Sequence, residues 1–325
     1  MKKAIVLLFV ASLALFGVLE AGGQAQKKVT IGLALYNLSQ DNVITWVNWL
    51  KEAADQYGVN IVSINADMVP SRQEAAIAEF INRKVDGIFI AVSLEPHTLD
   101  AAINEAVSKG IPVITVNDNP RKGFKMVTFG VHWYDTGYDA AAYACKEIDR
   151  RFGGKANVAL LTMPQLPIAQ DRTDGQKAAL AKFSPNSKIV AEGPTDGTQR
   201  TGLDAMARLL RAHPEINTIL GVNDESAIGA IAALRAAGKN PADYIITGVD
   251  AEPQASALIK KGEFTASVTV YTKGYAYLEM YVLRDLAING DKSIFAVCRE
   301  IYEESPLITK DNVDAYMEGQ GWNKK

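Results

Sequence analysis

The chain is predicted to be α/β, with two doubly wound parallel-sheet domains, and three observations predict this. A unit is written twice: Ile88–Asp118 and Ile219–Asp250 each run apolar strand, polar loop, amphipathic helix, apolar strand, and each closes on an acid. Short apolar runs alternate with helical stretches along the rest of the chain, the pattern of βα crossovers. The roughly 300 residues behind an apolar N-terminal segment exceed what one core usually serves. Parallel strands need such crossovers, and open α/β sheets bind ligands beyond the carboxyl ends of their strands. Two copies therefore predict two sheets whose polar strand tips can share one ligand. Those tips are Asn117 and Asp118 in the first copy, and Asn223, Asp224 and Asp250 in the second.

The first 25 residues stand apart from the fold. Lys2 and Lys3 are followed by the apolar run Ala4–Val18 and the small-residue exit Gly23-Gln24-Ala25. That is the pattern of a cleaved secretory signal, and the run is short of the ~20 apolar residues a membrane span needs. No cysteine follows it to carry a lipid, which favours the periplasm of a two-membrane bacterium.

The elements follow in order. Val29–Leu35 is a continuous apolar run, as suits a strand buried on both faces. After the loop Tyr36–Asp41 a helix runs from Val43 to Tyr57, stopped by Gly58, and Asn60–Ile64 is the next strand. Ser71, with Glu74 three residues on, reads as a capping box opening a helix to Arg83. The first repeat follows, then a strand at Met126–Val131 and a helix Asp135–Arg151 closed by Gly153-Gly154. Val158–Thr162 is a strand, Pro164–Asp174 a polar loop and Gly175–Phe183 a helix. Lys188–Glu192 is a strand, and the helix Thr201–Ala212 ends at His213-Pro214. Beyond the second repeat come a helix Glu252–Lys260, a strand Thr265–Tyr271 and a long helix Tyr275–Ile288. The tail from Ser293 carries at least one strand and a short helix near Asp311–Glu318.

Composition excludes several classes. Without Met1–Ala25 the chain holds 32 basic and 36 acidic residues, net −4, with no basic excess to hold nucleic acid. Cys145 and Cys298 leave two readings open, one disulfide or two buried thiols, and neither makes a metal site. The three histidines, His97, His132 and His213, are scattered. No G-x-S-x-G, H-E-x-x-H or glycine-rich phosphate loop occurs, and no poised acid–base pair is visible. No enzyme and no cofactor is expected.

Four stretches carry a family resemblance: Gly110–Asp118 (GIPVITVND), Ala212–Glu215 (AHPE), Asn223–Gly229 (NDESAIG) and Thr247–Asp250 (TGVD). Over Val29–Tyr316 the chain resembles the periplasmic sugar-binding proteins of the ribose, galactose and xylose type. These serve ABC importers and share a fold with the lac-repressor family. The resemblance implies a type I periplasmic binding fold with two lobes, three hinge crossings and a ligand cleft between them. The crossings would fall near Gly130–Trp133, Val270–Lys273 and Asp291–Ala296. One lobe would then comprise residues 26–131 and 272–293, the other 132–271 and 294–325. The implied partners are a sugar or polyol, an inner-membrane ABC permease and, as a further option, a chemoreceptor, the chain itself acting as a monomer. A signal peptide stands where repressor relatives carry their DNA-binding helices.

The candidate ligand contacts are Tyr36, Asn37, Gln40 and Asn42 in the loop beyond the first strand end, and, at positions the resemblance matches or neighbours, the tip pair Asn117-Asp118, Gln170 and Arg172, and Asn223 with Asp250. Asn42-Val43 stands where ribose binders have two phenylalanines, and Val270 replaces a glutamine, so a ligand other than ribose is open, nucleosides and other furanoses included. Galactose binders carry an acidic calcium loop, and no D-x-D-x-D-G run is present here. The residue types suit a polyol. Each hydroxyl both donates and accepts; Asp accepts, Arg donates and Asn does both. Aromatic candidates to lie against a sugar face are Tyr36, Trp46, Trp133 and Tyr271. Trp46 shares a helical turn with Trp49, which also fits core packing. Bland alternatives stand beside the polar assignments: Asp250 or Asp224 as helix caps, and Arg172 as a surface partner of Asp171 or Asp174.

Overall fold

The computed structural model describes residues 28–39, 41–91, 98–116, 126–270, 272–298 and 300–322. Residues 1–27, which include the expected signal segment, together with Gln40, Asn117, Asp118, Tyr271 and the side chain of Asn42, lie outside this range. The first half runs β1 (Val29–Leu35), α1 (Asp41–Tyr57), β2 (Val59–Asn65), α2 (Pro70–Asn82), β3 (Gly87–Ala91), α3 (Asp100–Ser108), β4 (Val113–Val116) and β5 (Val127–Gly130). The second half runs α4 (Trp133–Phe152), β6 (Asn157–Thr162), α5 (Pro167–Phe183), β7 (Lys188–Pro194), α6 (Gln199–Ala212), β8 (Thr218–Gly221), α7 (Asp224–Ala236), β9 (Ile245–Asp250), α8 (Pro253–Lys261) and β10 (Ala266–Thr269). The chain then returns through α9 (Lys273–Asn289) and β11 (Glu300–Tyr302) before β12 (Leu307–Thr309) and α10 (Val313–Gly319).

Two six-stranded sheets result, ordered β11-β5-β4-β3-β1-β2 and β12-β10-β9-β8-β6-β7. Every neighbouring pair is parallel except β10 with β12. Each sheet reverses its strand order once, between β1 and β3 and between β6 and β8, the positions where doubly wound sheets leave a crevice for ligand. Strands such as β3 and β8 are buried along their whole length because helices cover both faces.

Three expectations are corrected. Helix α2 starts at Pro70, and its N-cap, Val69, makes no side-chain cap bond, so Ser71 and Glu74 form no capping box. Proline at the first helical position needs no donor and already has a helical φ. Pro167 does the same for α5, which puts Gln170 and Arg172 on a helix rather than in a loop. The tail divides differently: β11 pairs with β5 in the first sheet, so residues up to Tyr302 stay with the first lobe. The third crossing lies between Tyr302 and Leu307, after Asp291–Ala296. Of the two readings of the cysteines the structure has the thiols, Cys145 buried and Cys298 half-buried; burial pushes the Cys145 thiol up to about 11.

The three crossings are tied by one residue. The Glu303 backbone N–H donates to the Gly130 carbonyl at 2.9 Å. Its carboxylate accepts from the backbone N–H and hydroxyl of Thr272 at 3.0 and 2.8 Å. His132 stacks on Tyr302 with centroids 4.2 Å apart, and the Tyr275 hydroxyl donates to the Tyr302 carbonyl. Beyond the hinge, Trp322 of the tail stacks on Trp49 of α1. One hydrophobic cluster runs through both lobes, from Tyr36, Val43 and Trp46 to Trp133, Met163, Val222, Val249 and Val270.

Candidate functional site

The site is built on backbone contact between α4 and α5. A Cβ on Gly137 would overlap the Arg172 carbonyl, and one on Gly175 would overlap the Tyr134 carbonyl. Glycine at both positions lets α5 lie against α4 and brings Arg172 beside Trp133. Gln176, one turn beyond Arg172, fastens α5 to the tip of β8 by donating to the Gly221 carbonyl at 2.8 Å.

Arg172 is only 7% exposed. It donates to the Val222 carbonyl at 3.1 Å and to Asp250 Oδ1 at 3.3 Å, and its guanidinium lies 4.6 Å from the centre of the Trp133 ring. It is therefore no surface partner of Asp171 or Asp174. Burial pushes the Asp250 carboxyl up to about 6, against the pull of Arg172.

Asp250 is not a helix cap: Glu252 occupies the cap position of α8 and makes no side-chain cap bond. Instead, Asp250 and Ala251 sit at φ +121° and +48°, backbone that residues other than glycine rarely adopt. A second network clamps that turn. Ser267 Oγ accepts from the Ala251 N–H at 2.9 Å and donates to Asp224 Oδ1 at 2.6 Å. Asp224 Oδ2 accepts from the Glu252 N–H at 3.0 Å. Asp224 is wholly buried, which drives its carboxyl far above the usual range, with repulsion from Asp250 adding to the rise. The expected cap role passes from Asp224 to Asn223, whose Oδ1 accepts from the Ser226 N–H at 3.1 Å and whose amide donates to the Gly197 carbonyl at 2.8 Å.

On the first lobe, Tyr36 is buried at the end of β1. Asn37 folds over its own turn, donating to Ser39 Oγ and accepting from the Ser39 N–H. Trp46 is core, its indole N–H donating to Glu279 at 2.9 Å. Gln170 faces solvent and donates to the Pro164 carbonyl, away from Arg172. So Arg172, Asp250, Asn223 and Trp133 gather on the second lobe, and Tyr36 and Asn37 lie at the β1 tip. The Asp224–Ser267 clamp and the Glu303 tie were not foreseen. Asp224 carries a signal, standing beside Asn223 in the repeat; Glu303 sits in a polar tail stretch with none.

Among the described residues, no three His, Cys, Asp or Glu side chains converge as a metal site requires. The arrangement offers a buried carboxylate acceptor next to buried donors at strand ends. That suits reversible capture of a small polar molecule, by a two-lobed protein whose lobes meet over the strand tips. The periplasmic binding protein domain matches residues 31–292, and the chain belongs to that family. It is 28% identical to the ribose import binding protein of Salmonella typhimurium over 268 residues, 82% of this chain and 86% of that protein. It is 26% identical to the xylitol-binding protein of Mycolicibacterium smegmatis over 295 residues, 89% and 79% of the two chains. A Mycobacterium smegmatis protein solved with β-D-fucofuranose superposes with a TM-score of 0.81 at 25% identity, covering 90% of this chain and 95% of that one.

Proposed function

We propose that this chain is an exported solute-binding protein that captures a monosaccharide or polyol between its lobes and delivers it to an ABC importer. The observation that carries the reading is the buried Arg172–Asp250 pair at the carboxyl ends of β8 and β9, which forms a fixed donor–acceptor edge of the kind vicinal hydroxyls match. The ribose, xylitol and furanose names among its relatives support the same ligand class, and the basic-then-apolar N-terminus supports export to the periplasm. Ligand contacts made only when both lobes close would shift the population toward the closed state, which the permease then reads.

The test is a thermal-shift screen of residues 26–325 against pentoses, hexoses, polyols, inositols and nucleosides. A ligand that binds only the folded protein at 100 times its Kd adds about 2.7 kcal/mol, and a shift with a sugar or polyol is the expected result. Shifts confined to nucleosides would keep the trap and replace its cargo. Absence of any shift, with no small molecule released on denaturation and seen by mass spectrometry, would overturn the reading.

A further inference from the structure

Trp133 opens α4 where the chain enters the second lobe, and it is 3% exposed. One face of its indole is covered by the Arg172 guanidinium. Its Nε1 is buried without an acceptor, and so is Nε of Arg172. Both atoms can only donate, so what they lack is an acceptor. Neighbouring donors do have partners: the amides of Asn223 and Gln176, the indole of Trp46, and the other two nitrogens of Arg172. The hydroxyls of Thr247, Thr269 and Ser305 also lack partners but can accept as well as donate; the two donor-only orphans belong to one stacked pair, anchored to the strand tips through Val222 and Asp250.

We infer that Trp133 is a specificity-determining residue that donates its indole N–H, edge-on, to an oxygen of the ligand, with Arg172 Nε aimed at the same or the adjoining oxygen. This rests on the sugar-or-polyol reading and deepens it. Trp133 then works through its edge, and the ring face considered as a sugar platform is occupied by arginine. The ligand required is one with adjacent oxygens, one accepting from Trp133 and Arg172, its neighbour donating a hydroxyl proton to Asp250. A site built to bond a hydroxyl rejects the analogue without it, because its own groups are then left unpaired.

The experiment compares wild type with Trp133→Phe, which keeps a flat face under Arg172 and removes the donor. Affinities are measured by calorimetry for D-ribose, xylitol and myo-inositol, and for the single-deoxy analogues of the one that binds tightest. The expected result is a melting temperature close to wild type and an affinity reduced by about tenfold or more, the scale of one lost hydrogen bond. One deoxy analogue that binds wild type weakly should lose nothing further in the variant, a coupling that a purely structural role would not produce. Should the variant melt much lower, the indole ¹H–¹⁵N signal of Trp133 in the wild type decides: it moves on ligand addition if the bond forms. Wild-type binding with undiminished binding by Trp133→Phe, or an indole signal that ligand leaves in place, overturns this inference alone. If wild type binds none of the three probes, the same comparison is run with the sugar or polyol that shifts its melting in the full screen; failure of every sugar and polyol there, with none released on denaturation, overturns it together with the reading it rests on.

Discussion

Arg172 joins three parts of the second lobe, the β8 tip through Val222, the β9 tip through Asp250 and the hinge-side Trp133. Removing one partner of a buried ion pair leaves the other charge without compensation, at about 3–5 kcal/mol. Arg172→Ala should lose stability on that scale in chemical denaturation, and Arg172→Lys should recover only part of it because the planar fork is gone. Asp250 makes a second prediction. Its carboxyl is raised to about 6 in the fold, above the usual aspartate value of about 3.9. The stability tied to its neutral form is fully present below about pH 4 and is lost as pH rises through about 6. A hydroxyl donating to the carboxylate needs the ionised form, so affinity should rise over the same window. Melting curves and calorimetry from pH 4 to 7.5 should therefore show opposing slopes, and Asp250→Asn should flatten the first. The repeat and its acidic ends made Asn223 and Asp250 legible. The Arg172–Asp250 pair was not, since the partners stand 78 residues apart and only the sheet brings them together.

Helix α5 owes its position to two glycines. Gly175→Ala sets a methyl group against the Tyr134 carbonyl of α4, and overpacking of this kind costs about 1–3 kcal/mol. Because α5 carries Arg172, the shift should also weaken ligand binding, while a glycine-to-alanine change at exposed Gly274, where a Cβ meets nothing, should leave binding unchanged. Apolar runs and βα alternation were enough to locate the strands and most helices, since burial on two faces imposes a composition. Helix starts were less legible. Polar residues such as those in Pro164–Asp174 read as loop, yet a proline at the first helical position and packing against α4 made them helix. The Asp224–Ser267 clamp was hidden for a related reason: its strain lies at Asp250 and Ala251, and neither residue type announces a positive φ.

The whole molecule hangs on three crossings that meet at Glu303. Hydrogen bonds to a charged group contribute about 1.5–3 kcal/mol, so Glu303→Ala should lower stability by a few kcal/mol. It should also broaden the distribution of lobe-to-lobe distances measured by electron–electron resonance with one spin label per lobe. An unchanged distribution would mean that the crossings are held elsewhere, for instance by the Trp49–Trp322 stack. Two sheets and their carboxyl-end tips could be read from the duplicated unit. Which lobe owns the tail could not, because three residues of β11 give too little pattern to say which sheet edge they join.

That allotment of the tail bears on how the protein is made. The first lobe is closed by α9 and edged by β11, both of which follow all of the second lobe except its β12–α10 tail. A ribosome must therefore finish nearly the entire polypeptide before the first lobe can be completed, and its early strands wait with an open edge. Such a delay makes the unfinished first lobe, with its open sheet edge, the part of the nascent polypeptide most in need of a chaperone's cover until synthesis is done.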